Sequence, residues 1–125
     1  MTIRTLLVCD DPDTRALVAL SLDLHPAFAV TAGSRADAAD TLRRRVEPFD
    51  VILLDTKHVD LGPAALVAAI RQWPSSATVP ILILSSKATE VRSVDAQGLI
   101  CKPFDPVALP HRVIEMLAPF GGERR

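Results

Sequence analysis

Phe49-Asp50-Val51-Ile52-Leu53-Leu54-Asp55 is the stretch whose reading decides the fold. Four consecutive aliphatic residues, Val51 to Leu54, describe a strand buried on both faces of a parallel sheet, where side chains meet no solvent on either side. The run ends on a carboxylate, Asp55. In an open α/β sheet ligands bind outside the carboxyl ends of the strands, so Asp55 is expected at such an edge. Other apolar runs end the same way. Leu6-Leu7-Val8-Cys9 delivers Asp10 and Asp11, Ile81-Leu82-Ile83-Leu84 delivers Ser85 and Ser86, and the weaker Leu99-Ile100-Cys101 delivers Lys102, followed by Pro103. Three carboxylates, a hydroxyl and an ammonium at strand ends read as a site.

The rest of the chain supplies the layers around these strands. Asp11-Pro12 opens a first helix, with Pro suited to the first helical position, and Leu17, Leu20, Ser21 and Leu24 recur at helical spacing as its sheet-facing set. His25-Pro26 stops it. Phe28 to Ala32 is a second, weaker strand. Ser34 with Asp37 three residues on resembles a capping box, and the helix it starts is expected to turn Ala39, Leu42 and Val46 inward, with Arg43, Arg44 and Arg45 on the solvated side. Pro63 starts a third helix whose inward residues are Leu66, Ile70 and Trp73, ended by Pro74-Ser75-Ser76. Val79 to Leu84 is the fourth strand. Ala88 to Gln97 has room for only a short or irregular fourth helix. The last helix follows Asp105-Pro106, packs Leu109, Val113, Met116 and Leu117 inward, and is expected to start distorted because Pro110 removes a hydrogen bond. Strands alternating with helices argue for a doubly wound α/β domain.

Bulk properties narrow the function. The 125 residues make one domain, 1–125, with residues 121–125 expected to fray. A formal net charge of −1 leaves no electrostatic footprint for nucleic acid or a membrane surface. No apolar run approaches a membrane span and no signal-peptide pattern opens the chain, so a cytoplasmic protein is expected. The two cysteines, Cys9 and Cys101, read as reduced core thiols. His25, His58 and His111 are scattered and read as separate surface residues.

The ordered set Asp10-Asp11, Asp55, Ser85 and Lys102-Pro103 resembles the receiver domain of bacterial two-component response regulators, the CheY-like family, over nearly the whole chain. That resemblance implies a five-stranded parallel sheet in the order 2-1-3-4-5 with helices on both faces. It implies Mg²⁺ held by Asp11, Asp55 and the carbonyl of Lys57, with Asp10 acting mainly through water; hard oxygen donors without His or Cys suit that ion. It also implies Asp55 as the nucleophile that takes a phosphoryl group from a phosphohistidine, carried by a sensor histidine kinase or a histidine phosphotransfer protein. Ser85 and Lys102 would then contact the phosphoryl oxygens, and Lys102–Pro103 would be a cis peptide. The product of such a domain is a signalling switch rather than a metabolite.

The sequence departs from the family at several points. His58 and Val59 replace a usual Met-Pro, and Pro63 stands where a Gly is usual, with Gly62 one place early. Lys57 and Lys87 flank the phosphoryl position. Leu99 replaces the switch aromatic, and Arg112 lacks the acidic partners that usually give the output face its register, so dimerisation through that face is not expected. A degenerate receiver, used as a protein-interaction module without phosphorylation, is the alternative. A haloacid-dehalogenase-type enzyme would need an acid where Lys57 stands, and a flavodoxin-like carrier would not place Asp10-Asp11-Pro12-Asp13 against a phosphate.

Overall fold

The computed structural model describes residues 2–56, 62–87 and 95–121. Five strands, β1 (Ile3–Val8), β2 (Phe28–Gly33), β3 (Val51–Asp55), β4 (Ile81–Ser85) and β5 (Gly98–Cys101), form one all-parallel sheet in the order β2-β1-β3-β4-β5. Four described helices accompany them: α1 (Pro12–Asp23), α2 (Arg35–Arg44), α3 (Gly62–Arg71) and α4 (Leu109–Gly121). The expected fourth helix at Ala88 to Gln97 lies mostly outside the described residues, as do Lys57 and His58.

Every residue of β3 and β4 is buried, and alternation along the strands sorts their side chains into two layers. Leu6, Val8, Ile52, Leu54, Ile81 and Ile83 pack with Leu42, Leu66 and Ile70 from α2 and α3. Leu7, Val51, Leu53, Leu82 and Leu84 pack with Val18, Leu22, Leu109 and Val113 from α1 and α4. Helices therefore cover both faces of the central strands β3 and β4, whose carboxyl ends lead to the polar residues. Arg71, at the end of α3, donates to the carbonyls of Ser76 and Asp95 and to Gln97 Oε1. It thereby pins the third helix to the turns flanking β4 and β5.

Helix faces differ from expectation in instructive ways. α1 buries Val18, Ser21 and Leu22, while Leu17, Leu20 and Leu24 point to solvent. Ser21 is tolerated inside because its hydroxyl donates to the Pro106 carbonyl, fastening α1 to the turn before α4. α2 buries Ala38 and Leu42 rather than Ala39, and Val46 is 91% exposed because the helix ends at Arg44 and Arg45 is already extended. The capping box at Ser34 and Asp37 is present. The start of the last helix is irregular: residues 106–108 form a turn and α4 begins at Leu109. The Leu109 N–H makes a helical bond to the Asp105 carbonyl, the next would need the N–H that Pro110 lacks, and the Pro106 carbonyl accepts from Ser21 instead.

Two further expectations are corrected. Cys9 is buried but Cys101 is exposed, because β5 is an edge strand. His25 and His111 are not separate: their rings meet edge to face at 5.3 Å, and His25 also meets Phe28 edge to face at 5.6 Å. No described helix is long and apolar enough to cross a membrane.

Candidate functional site

The carboxyl ends of β1, β3, β4 and β5 meet at one edge of the sheet, and register brings their polar residues together. Asp55 closes β3 beside Leu84 of β4, and Ser85 pairs with Cys101, so Lys102 follows directly on the neighbouring strand. The Lys102 amide donates to the Ser85 carbonyl at 2.9 Å. From there Lys102 reaches across to Asp55, its Nζ lying 2.8 Å from both carboxylate oxygens. The Asp55 side chain is 1% exposed and that of Lys102 20%. A carboxylate that dry is stabilised by its cation, which also orients it. The Lys102–Pro103 peptide is cis.

Cys9 forms the floor between β1 and β3. Its thiol lies 3.6 Å from Asp55 Oδ2 and 3.4 Å from the Asp11 carbonyl, so the Asp11 backbone and the Asp55 carboxylate are both in reach of one sulfur atom. Burial, helped by the Asp55 charge, pushes the Cys9 thiol up to about 11. It is a packed, protonated group and not a nucleophile. Asp11 is the N-cap residue of α1, and its carboxylate accepts from the Thr14 hydroxyl. Ser85 is buried, and its hydroxyl oxygen accepts the Lys87 N–H at 2.9 Å.

Asp10 points elsewhere. Its Oδ1 accepts the Arg35 backbone N–H at 2.8 Å and its Oδ2 the Arg35 Nε at 2.6 Å. Partial burial works against this charge, but the Arg35 hydrogen bonds and the nearby Arg15 outweigh it and hold the carboxyl below its ordinary value. Arg15 in turn donates to the Cys9 carbonyl at 2.8 Å. The sheet order explains the meeting: β2 runs beside β1, Val8 pairs with Gly33, and the Cys9 amide bonds to the Gly33 carbonyl. The start of α2 therefore lands next to Asp10. Arg35 is the site neighbour that sequence reading missed. Its signal was the exit of β2 at the same edge.

Of the six residues expected at the site, Asp55 and Lys102 are in contact, Asp11 and Ser85 flank them, Asp10 is turned to Arg35, and Lys57 lies outside the described residues. Among the described residues no three His, Cys, Asp or Glu side chains converge as a metal site. The donors nonetheless suit a hard ion. Mg²⁺ commonly takes one or two carboxylates and keeps several waters; the Asp11 backbone and the Asp55 carboxylate meet at the Cys9 thiol, while both oxygens of Asp10 accept from Arg35.

Comparison with known proteins decides the fold family. No family model matches the chain. An uncharacterised 14.6 kDa protein in the sodA1 3′ region of Leptolyngbya boryana is 28% identical over 109 residues, 83% of this chain and 82% of that protein. Among solved structures, the chemotaxis response regulator CheY4 of Vibrio cholerae superposes with a TM-score of 0.78 at 24% identity, over 93% of this chain and 99% of that one. A CheY-like response regulator from Mesorhizobium loti gives 0.70 at 25% identity, over 93% and 99%. This chain has the CheY-like receiver fold. A third match is the receiver domain of the sensor histidine kinase PA1611 of Pseudomonas aeruginosa, with magnesium in its active-site cleft. It gives 0.72 at 21% identity, over 94% and 98%.

Proposed function

We propose that this receiver is a phosphoacceptor of a two-component phosphorelay and that Asp55 carries the phosphoryl group. The observation that carries the reading is the seating of Lys102 from β5 on both oxygens of a buried carboxylate from β3. A surface ion pair has no reason to be so dry. One oxygen of Asp55 would attack the phosphorus of a phosphohistidine as the P–N bond breaks and imidazole leaves, forming an aspartyl phosphate. Lys102 would shift from carboxylate to phosphoryl oxygen, keeping an ammonium next to the charge throughout. The Ser85 hydroxyl, at the end of β4, would donate to another phosphoryl oxygen. Mg²⁺, as in the Pseudomonas aeruginosa receiver, would supply neutralisation of the phosphoryl charge, held by Asp11 and Asp55 and, by family resemblance, the Lys57 carbonyl.

The partner would be a sensor histidine kinase or a histidine phosphotransfer protein in the cytoplasm. Leu17, Leu20 and Leu24 form an exposed apolar stripe on α1, whose N-terminus lies at the site. That stripe suits the helical surface such a donor presents. The domain would act as a switch, with at most self-phosphorylation and self-dephosphorylation.

The capture of Asp10 by Arg35 favours a second reading, a degenerate receiver that binds partners without being phosphorylated. Incubation with acetyl phosphate and Mg²⁺, followed by intact-mass measurement, separates the two. The phosphoacceptor reading expects one phosphoryl group on wild type and none on Asp55→Asn.

A further inference from the structure

We infer that Arg35 is a positioning residue that competes with the metal for Asp10, so that Mg²⁺ binds more weakly while the Arg35–Asp10 contact holds. This rests on the phosphoacceptor reading and extends it to a residue outside the expected site. The geometry is specific. Arg35 engages both oxygens of Asp10, one through its backbone N–H at 2.8 Å and the other through Nε at 2.6 Å. Each oxygen already accepts one hydrogen bond from Arg35, so a metal-bound water must share it or displace Arg35. The backbone contact is set by the start of α2. The guanidinium contact depends on the side chain, and it is the part that evolution or an experimenter can remove.

A structural role explains the pair poorly. Both partners keep substantial exposure, 43% for Arg35 and 24% for Asp10, and exposed pairs contribute little to folding. Their position matters more. A guanidinium on a carboxylate at the metal edge opposes a divalent cation in two ways: it occupies the ligand, and it repels the ion. Arg15 adds a second cation nearby, although its own hydrogen bond to the Cys9 carbonyl keeps it on the backbone. Metal binding and the Arg35–Asp10 contact thus oppose one another, and by linkage each weakens the other by the same factor. In this arrangement the receiver would need a higher Mg²⁺ concentration for loading than the Arg35→Ala variant.

The test is a two-residue cycle read by Mg²⁺ titration calorimetry at low ionic strength on wild type, Arg35→Ala, Asp10→Asn and the double variant. Urea unfolding of each protein shows whether it is folded. Arg35→Ala is expected to tighten Mg²⁺ binding by about three- to ten-fold. In the Asp10→Asn background the same change is expected to give little gain, because the carboxylate through which Arg35 acts is gone. Arg35→Lys, which keeps the charge but not the fixed Nε contact, is expected to fall between wild type and Arg35→Ala. An unchanged or weaker affinity in Arg35→Ala overturns the inference, as does an equal gain in both backgrounds, which would make Arg35 a distant charge only. Absence of Mg²⁺ binding from all four proteins would defeat the metal-dependent reading of the site together with this one. Binding indifferent to Arg35 would defeat this one alone.

Discussion

Lys102 on Asp55 and Arg35 on Asp10 are both cation–carboxylate pairs at the carboxyl edge of one parallel sheet, yet their settings are opposite. The first joins the ends of β3 and β5 with its carboxylate side chain 1% exposed; the second joins the end of β1 to the start of α2 with 24% of its carboxylate side chain exposed. A buried charge is strongly penalised if its partner is removed, whereas an exposed pair is screened and contributes little. The same fold edge thus holds one pair that is fixed and one that is adjustable. In the proposed phosphoacceptor, the first pair would hold the nucleophile in place and the second would yield to the metal.

The largest effect is expected at the buried pair. Lys102→Ala should lower stability by about 2–3 kcal/mol in urea unfolding, because Asp55 is left as a buried carboxylate without its ammonium. The loss should shrink when Asp55→Asn is added. A loss below about 0.5 kcal/mol, in the range of surface substitutions, would erase the contrast between the two edges.

Next comes Gly33→Ala, which attacks the other edge through the backbone. A Cβ at Gly33 would meet the Asp37 Cβ at 2.6 Å, inside the capping box that starts α2. The chain must shift there, at a cost of about 1–2 kcal/mol. The shift should displace Arg35 from Asp10 and leave Lys102 on Asp55, which chemical shifts of the two carboxyl carbons would report separately.

Smallest is the effect of Arg35→Ala on stability, under about 1 kcal/mol and fading at high salt. The pH dependence has a definite sign. Asp10 has its carboxyl held below the ordinary value, so the stabilisation is full above the ordinary carboxylate range and is lost as pH falls through the depressed value. The wild-type advantage over Arg35→Ala should therefore close below about pH 4 in unfolding experiments. An advantage that grows on acidification would contradict the pairing.

What the sequence made legible follows the same division. Continuous aliphatic runs at Leu6–Val8, Val51–Leu54 and Ile81–Leu84 have only one use in a chain of this size, as fully buried parallel strands. Residues ending such strands are placed by the strands themselves, and Asp55 at the end of β3 lies in contact with Lys102 after β5. Helix faces were less legible. On α1, Leu17, Val18, Leu20, Leu22 and Leu24 contain two interleaved apolar sets, and periodicity alone does not choose between them. Ser21 is common to both sets, and it is Val18 and Leu22 that pack into the core layer with Leu7, Leu53 and Val113. Arg35 escaped notice because Ser34 next to it reads only as a helix start. Its role depends on β2 lying beside β1, a matter of topology rather than of any local pattern. His25 and His111 are likewise brought together only by the packing of α1 against α4.

The central claim is that Asp55 is a phosphoacceptor, and intact-mass spectrometry after incubation with acetyl phosphate and Mg²⁺ tests it most directly. The account predicts one phosphoryl group on wild type, none on Asp55→Asn, and none on wild type when the metal is chelated. Incorporation that persists at the wild-type level in Asp55→Asn would contradict it, as would a wild-type protein that stays unmodified at saturating Mg²⁺.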